Sequence, residues 1–351
     1  DHLRGFARTI PSFLMAYGDE NTTLYNFEHK ADAKEFEELT SITKEDFRKL
    51  RDGFNYVNEN GEEKRYEGFF DEIVFNASIQ EFLAKKEALS DYFDEAVQED
   101  IFDYIPAQKT NQIFTPKPVV RRMVDFLEKE NPGIFTDPDK KYLDLYTKSG
   151  LFLAEIVRRL YQGLESVIPD KTERICHIFR HQVYGVAPTQ IIQNIAENFV
   201  YGEKKEEIKS RIVAHDLTPE AQRGTVQEKL YELFGDETLK FDVIIGNPPY
   251  QEEAKGTGTR DQPLYHYFMD EAFSIADKTC LITPARFLFD AGQTPKAWNR
   301  KMLDDEHLKV IEYYSSSKMV FDMVDIKGGV VITLYDKNKN YNKINVFTPH
   351  L

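Results

Sequence analysis

Four consecutive residues, Asn247, Pro248, Pro249 and Tyr250, combine groups suited to receiving a planar amine. The Asn247 amide oxygen and the Pro248 carbonyl can both accept hydrogen bonds. The two prolines fix φ and remove two N–H donors, so a stiff turn presents those acceptors. Tyr250 adds a ring on which a heterocycle can stack. An exocyclic NH2 gripped at both hydrogens is pushed toward the tetrahedral nitrogen of a nucleophile. Three further places could serve a nucleotide-like ligand. Asp144 closes a short apolar stretch and is followed by Thr147-Lys148-Ser149-Gly150, where Gly150 allows a tight turn into Leu151 and Phe152. Asp216, after Ile212, Val213 and Ala214, offers a carboxylate that can accept from an adenine amine or cap a turn before Thr218 and Pro219. Thr115 before Pro116 has the order of an N-cap and first helical turn, and a helix N-terminus can hold a carboxylate.

Such groups act only if elements hold them together. FDVIIG, Phe241 to Gly246, has the apolar run of a strand buried on both faces, and the proline corner follows it directly. KYLDLY, QVYGVA and RIVAHD are the other strands before it, separated by helical stretches such as LFLAEIVRRLYQGL and TQIIQNIAENFVYG. After it come a helix (PLYHYFMDEAFSIA), a strand (KTCLITPARFLF), a helix (PKAWNRKML), and two strands, LKVIEYY and GGVVITLYDK, that could pair. Alternation of this kind predicts a mostly parallel sheet with helices on both faces. Asp144, Asp216 and Asn247 then all lie at carboxyl ends of strands, where open α/β sheets bind ligands.

The first 105 residues differ. They hold helical patterns, little strand signal and no motif with visible chemistry; Ser41 or Thr43 could cap a helix running to Leu50, with further helices over Asn76 to Lys86 and Leu89 to Val97. Charge is uneven: of 45 Lys+Arg and 60 Asp+Glu, the first 105 residues carry 12 and 25, leaving 33 against 35 for the remainder. The domains expected are therefore an acidic helical connector, 1–105, and a catalytic domain, 106–351, whose near-neutral charge neither favours nor forbids a polyanion. Cys176 and Cys280 are the two cysteines, so no disulfide framework is indicated, no apolar run has the length of a membrane span, and the chain reads as cytoplasmic. Cys176, His177 and His181 cluster without a fourth ligand, so no metal is expected. The glycine-rich stretch at 256–260 reads as a loop. The chain starts at Asp1 inside a helical pattern, as a fragment of a longer protein would.

Taken together, NQIFTP, LDLYTKSGLFL, IVAHD, NPPY and the late VIEYYSSSKMVFDMVDIKGGVVITLYDK resemble the S-adenosylmethionine-dependent N6-adenine DNA methyltransferases with motifs in the γ order, over about Ala107 to Asp336. The front end, DHLRGFARTIPSFLMAYGD, looks like the segment joining helicase to methylase in single-chain restriction-modification enzymes. The resemblance implies a Rossmann-like domain and S-adenosyl-L-methionine as cofactor, held by Thr115, Pro116, Asp144, Ser149, Gly150, Phe152 and Asp216. It also implies catalysis by Asn247, Pro248, Pro249 and Tyr250 on an adenine flipped from double-stranded DNA. Helicase, nuclease and target-recognition regions of the same full-length chain would be its partners, with no membrane involved. Where the family commonly reads D-P-x-x-G-S-G-x-F, this chain has Leu145 for the proline and Lys148 for the first glycine. Ala187 stands where many members place a ribose-binding acid. The competing expectations are a methyltransferase acting on a protein glutamine or an RNA base, and a non-catalytic methylase-like scaffold coupling helicase and recognition parts.

Overall fold

The computed structural model describes residues 2–94, 96–97, 99–106, 114–252, 262–321 and 325–349. The expectations for 111–113 of the NQIFTP motif, the loop at 256–260 and 322–324 of the late motif lie outside those residues. Two compact units are present, Asp1–Gln108 and Lys109–Leu351.

The first unit is built on phenylalanines. Helices α1 (His2–Tyr17), α2 (Ala33–Thr40), α3 (Lys44–Asp52) and α4 (Glu72–Leu89) surround a cluster in which Phe13 stacks on Phe27 at 4.1 Å, while Phe36, Phe47 and Phe75 meet Phe27 at 6.2, 5.6 and 5.5 Å. Such rings supply large apolar area per residue, which a small unit needs. Thr43 caps α3, its hydroxyl accepting from the Asp46 N–H, and Asp71 caps α4 through the Val74 N–H. Two expectations need correction. Phe54–Val57 (β1) and Glu63–Tyr66 (β2) form an antiparallel hairpin closed around Asn60-Gly61, a turn signal overlooked because both strands are short and largely exposed. Among the described residues of 89–97 no second α-helix continues from α4: Asp91 and Asp94 accept hydrogen bonds from the backbone two residues on, at Phe93 and Ala96, and so compete with helical pairing.

The second unit begins with α5 (Lys117–Glu130) and then alternates: β3 (Tyr142–Asp144), α6 (Leu151–Gly163), α7 (Lys171–His181), β4 (Val183–Ala187), α8 (Gln190–Val200), β5 (Ile212–Ala214), α9 (Thr218–Arg223), α10 (Val226–Phe234), β6 (Phe241–Gly246), α11 (Tyr265–Ile275), β7 (Ala276–Pro284), α12 (Lys296–Asp304), β8 (Leu308–Tyr314) and β9 (Val330–Asp336). The sheet order is β5-β4-β3-β6-β7-β9-β8, with β9 antiparallel to both neighbours and the pairs from β5 to β7 parallel. The late pair therefore forms as expected, with β9 slotted between β7 and β8. Ile244 and Leu281 join Phe268, Met269 and Met302 in one buried cluster, whereas Cys280 lies against the Met123 carbonyl of α5. Helices thus cover both faces, and β3, β4 and β6 are buried nearly throughout. This is a Rossmann-like α/β architecture. The chain order reverses between β3 and β6, which puts the crevice of the sheet beside Asp144 and Gly246.

Candidate active site

Strand β6 runs parallel to β3 with Leu143 opposite Ile244, so the turns after Asp144 and after Gly246 emerge side by side. Their closeness depends on Gly246: a Cβ there would stand 2.7 Å from the Asp144 Oδ1. The same turn tightens further at Gly150, which has φ of 85° and would drive a Cβ to 2.7 Å from the Val200 methyl of α8. Thr147 is pinned across the sheet by its N–H to the Val186 carbonyl at 2.8 Å and by its hydroxyl, which donates to the Asp144 carbonyl at 3.1 Å.

Two recesses open at this point and share Asp144, Tyr146 and Asn247. One is lined by Thr115, Lys148, Ser149, Gly150 and Phe152 besides the shared residues. The second is more apolar and reaches Ile245, Pro248, Phe268 and Leu281. Asn247 is 5% exposed, and its Nδ2 donates to the Thr115 Oγ1, itself buried, at 3.0 Å. That bond orients the amide. Its Oδ1 is buried and has no hydrogen-bond partner among the described residues. A buried acceptor left unpaired costs about 1–3 kcal/mol, so it is kept where a ligand donor completes it.

Asp144 accepts from the Tyr146 N–H at 3.1 Å, yet burial pushes its carboxyl up to about 7. Burial likewise pulls the Lys148 ammonium down to about 8, opposed by the attraction of Asp144. The Lys148 Nζ stands 5.7 Å from the centroid of the Tyr146 ring. Ser149 is buried and its hydroxyl accepts from the Leu151 N–H at 3.2 Å, at the start of α6.

The structure thus brings Thr115, Asp144, Ser149, Gly150, Phe152 and Asn247 together at one recess and Pro248 at its neighbour. Thr115 does not cap α5. Pro116 holds the cap position, and the Thr115 hydroxyl is used on Asn247 instead. Pro249 is buried behind the corner. Tyr250 lines neither recess: its ring meets Phe321 edge-on at 6.5 Å, and its buried hydroxyl has no partner among the described residues. Asp216 is exposed and its carboxylate accepts from the Thr218 N–H at 3.0 Å, so here it serves the turn into α9. Ala187 is buried at the end of β4. His177 is used structurally, its Nε2 lying 2.9 Å from the Pro138 carbonyl, and no cluster of metal-binding side chains occurs among the described residues. Tyr146 was missed in the sequence, although its place two residues beyond a strand-ending acid was the available signal. Lys148 was noted there only as a departure from glycine.

Residues 181–321 match the family described as Eco57I restriction-modification methylase. A curated relative, an uncharacterized adenine-specific methylase of Mycoplasma pneumoniae, is 25% identical over 301 residues, spanning 70% of this chain and 71% of its own. These matches bear out the resemblance to the adenine methyltransferases of restriction-modification systems. Among solved structures, a nuclease-deletion mutant of the Type ISP restriction-modification enzyme LlaGI with a DNA substrate mimic superposes with a TM-score of 0.55 at 16% identity, over 97% of this chain and 35% of that one. The DrdV–DNA complex gives 0.54 at 14% identity, over 95% and 36%. Both share the fold, and this chain spans about a third of their length.

Proposed function

We propose that this chain transfers a methyl group from S-adenosylmethionine to the N6 nitrogen of an adenine swung out of double-stranded DNA, as the modification part of a restriction-modification enzyme. The observation that carries the proposal is the buried, unpaired Asn247 Oδ1, held by Thr115 at the mouth of a recess it shares with Asp144. An acceptor fixed in that way fits an exocyclic amine that must give up hydrogen bonds elsewhere.

The residues at the recess fit the cofactor. Asp144, Lys148 and Ser149 are polar groups suited to an amino-acid end, Phe152 offers an apolar wall, and Gly150 leaves the turn open. When bound, S-adenosylmethionine supplies an electrophilic methyl on a sulfonium. The protein's part is to hold the amine. Asn247 Oδ1 and the Pro248 carbonyl accept its two hydrogens, which localises the nitrogen lone pair and orients it. Pro248 and Pro249 keep both acceptors stiff, so little reorganisation accompanies reaction. Tyr250, turned toward Phe321 here, would carry the base by stacking after its ring rotates. Asp216, tied to Thr218, would reach a cofactor adenine only by giving up that bond.

The test is methylation mapping of DNA from cells expressing the gene that encodes this chain, beside cells expressing Asn247→Ala. The expected result is N6-methyladenine at a fixed sequence in the first and none in the second. Methylation that survives the substitution overturns the proposal.

A further inference from the structure

The recess beside Asn247 carries two opposite charges within one turn. Lys148 projects its ammonium 5.7 Å from the Tyr146 ring centroid, and Asp144 is the charged group acting on it. Among the described residues lining the recess, Thr115 ahead of α5, Phe152 on α6 and Asn247 after β6 bring no charge, and Tyr146 adds a phenol. Resting on the cofactor reading above, which already sets Asp144 at the amino-acid end of the methyl donor, we infer that Lys148 completes a two-charge cradle there by taking the donor's α-carboxylate. Lys148 thereby becomes a specificity-determining residue for the carboxylate.

Three considerations carry this. Among the described lining residues the cradle presents one charge of each sign, the complement of a zwitterion rather than of a simple cation or anion. Burial drives both groups toward their uncharged forms in the free protein, and a ligand that brings the opposite charge to each restores both at once. Lysine also suits the task mechanically: its four-carbon stem can swing the ammonium from the Tyr146 ring toward a ligand without moving the turn that Thr147 and Gly150 pin in place.

The experiment is calorimetric titration of the 351-residue chain with three ligands: S-adenosylmethionine, its decarboxylated form, which keeps the amine, and 5′-methylthioadenosine, which lacks both charged groups. The wild type should bind the decarboxylated ligand about 10- to 100-fold more weakly than the intact one, the range of a charge-assisted hydrogen bond. Lys148→Met should lose affinity for S-adenosylmethionine by a similar factor while leaving the decarboxylated ligand nearly unaffected, and Lys148→Arg should recover most of the loss. Thermal melts establish that both variants are folded, and the ligand series on the wild type needs no variant. The inference is overturned if the wild type fails to distinguish the first two ligands, or if Lys148→Met binds S-adenosylmethionine as tightly as the wild type or more so. Either result, with S-adenosylmethionine still bound, leaves the proposed function standing. A wild type that binds none of the three overturns the cofactor reading and this inference together.

Discussion

Replacing Asn247 by alanine removes the buried acceptor proposed to receive the amine while leaving the Asp144 turn intact. Methyl transfer should fall by at least about 10²-fold with cofactor affinity nearly unchanged, the pattern of an interaction made at the reacting atoms. Thr115→Ala acts one step away, freeing the amide to rotate. It should lower kcat by about tenfold, and Thr115→Ser should restore it because the hydroxyl returns. Asp144 gives a prediction in the opposite sense for stability. Its folded carboxyl titrates near 7 instead of 3.8, so the folded state favours the protonated form. The cost is therefore absent below about pH 4, grows as pH rises, and is complete above about pH 7. Asp144→Asn should stabilise the protein at pH 8 by on the order of 2 kcal/mol, shrinking toward zero at pH 4, while weakening cofactor binding. Urea denaturation at the two pH values measures this; a gain that does not change with pH would contradict it.

At the level of elements, the site is a consequence of two parallel strands ending together. β3 and β6 pair in register, and glycines at 246 and 150 let their following turns approach. Gly150→Ala meets a positive φ and the Val200 methyl at 2.7 Å, so it should lower stability by about 1–3 kcal/mol and distort the start of α6. A lower urea midpoint accompanied by lost cofactor binding is the expected outcome. Gly246→Ala differs, because its Cβ would meet the Asp144 carboxylate rather than the chain. It should impair cofactor binding more than stability, which separates a turn needed for folding from one needed for function.

In the whole molecule, every residue placed at the recess lies in the second unit, which has its own buried cluster and its own sheet. A fragment covering 109–351 should therefore fold and bind S-adenosylmethionine within a few-fold of the full chain. Circular dichroism and titration of that fragment provide the check. The charge is divided unequally: the first 105 residues hold net −13 and the rest net −2. Removing the acidic part should thus raise association with DNA at low salt, an effect that fades above about 0.2 M salt as screening shortens. Among the described residues no helix is long and apolar enough to cross a membrane.

Much of this was written in the chain itself, wherever the determining physics is local. Apolar runs such as Val243-Ile244-Ile245 specify buried strands, prolines 248 and 249 specify a stiff corner, and alternating strands and helices specify a parallel sheet. The exposed hairpin at Phe54–Tyr66 and the break after Leu89 escaped because side-chain to backbone bonds and a short turn outweighed weak periodicity. Which groups meet was decided only in three dimensions. Thr115 and Asn247 are 132 positions apart, and no local signal reveals that the hydroxyl serves the amide rather than a helix end. Lys148 reads as a lapse from glycine in one dimension and as a charge facing Asp144 in three. Burial and pairing depend on what the fold brings against a side chain, and that is a property of the packed molecule.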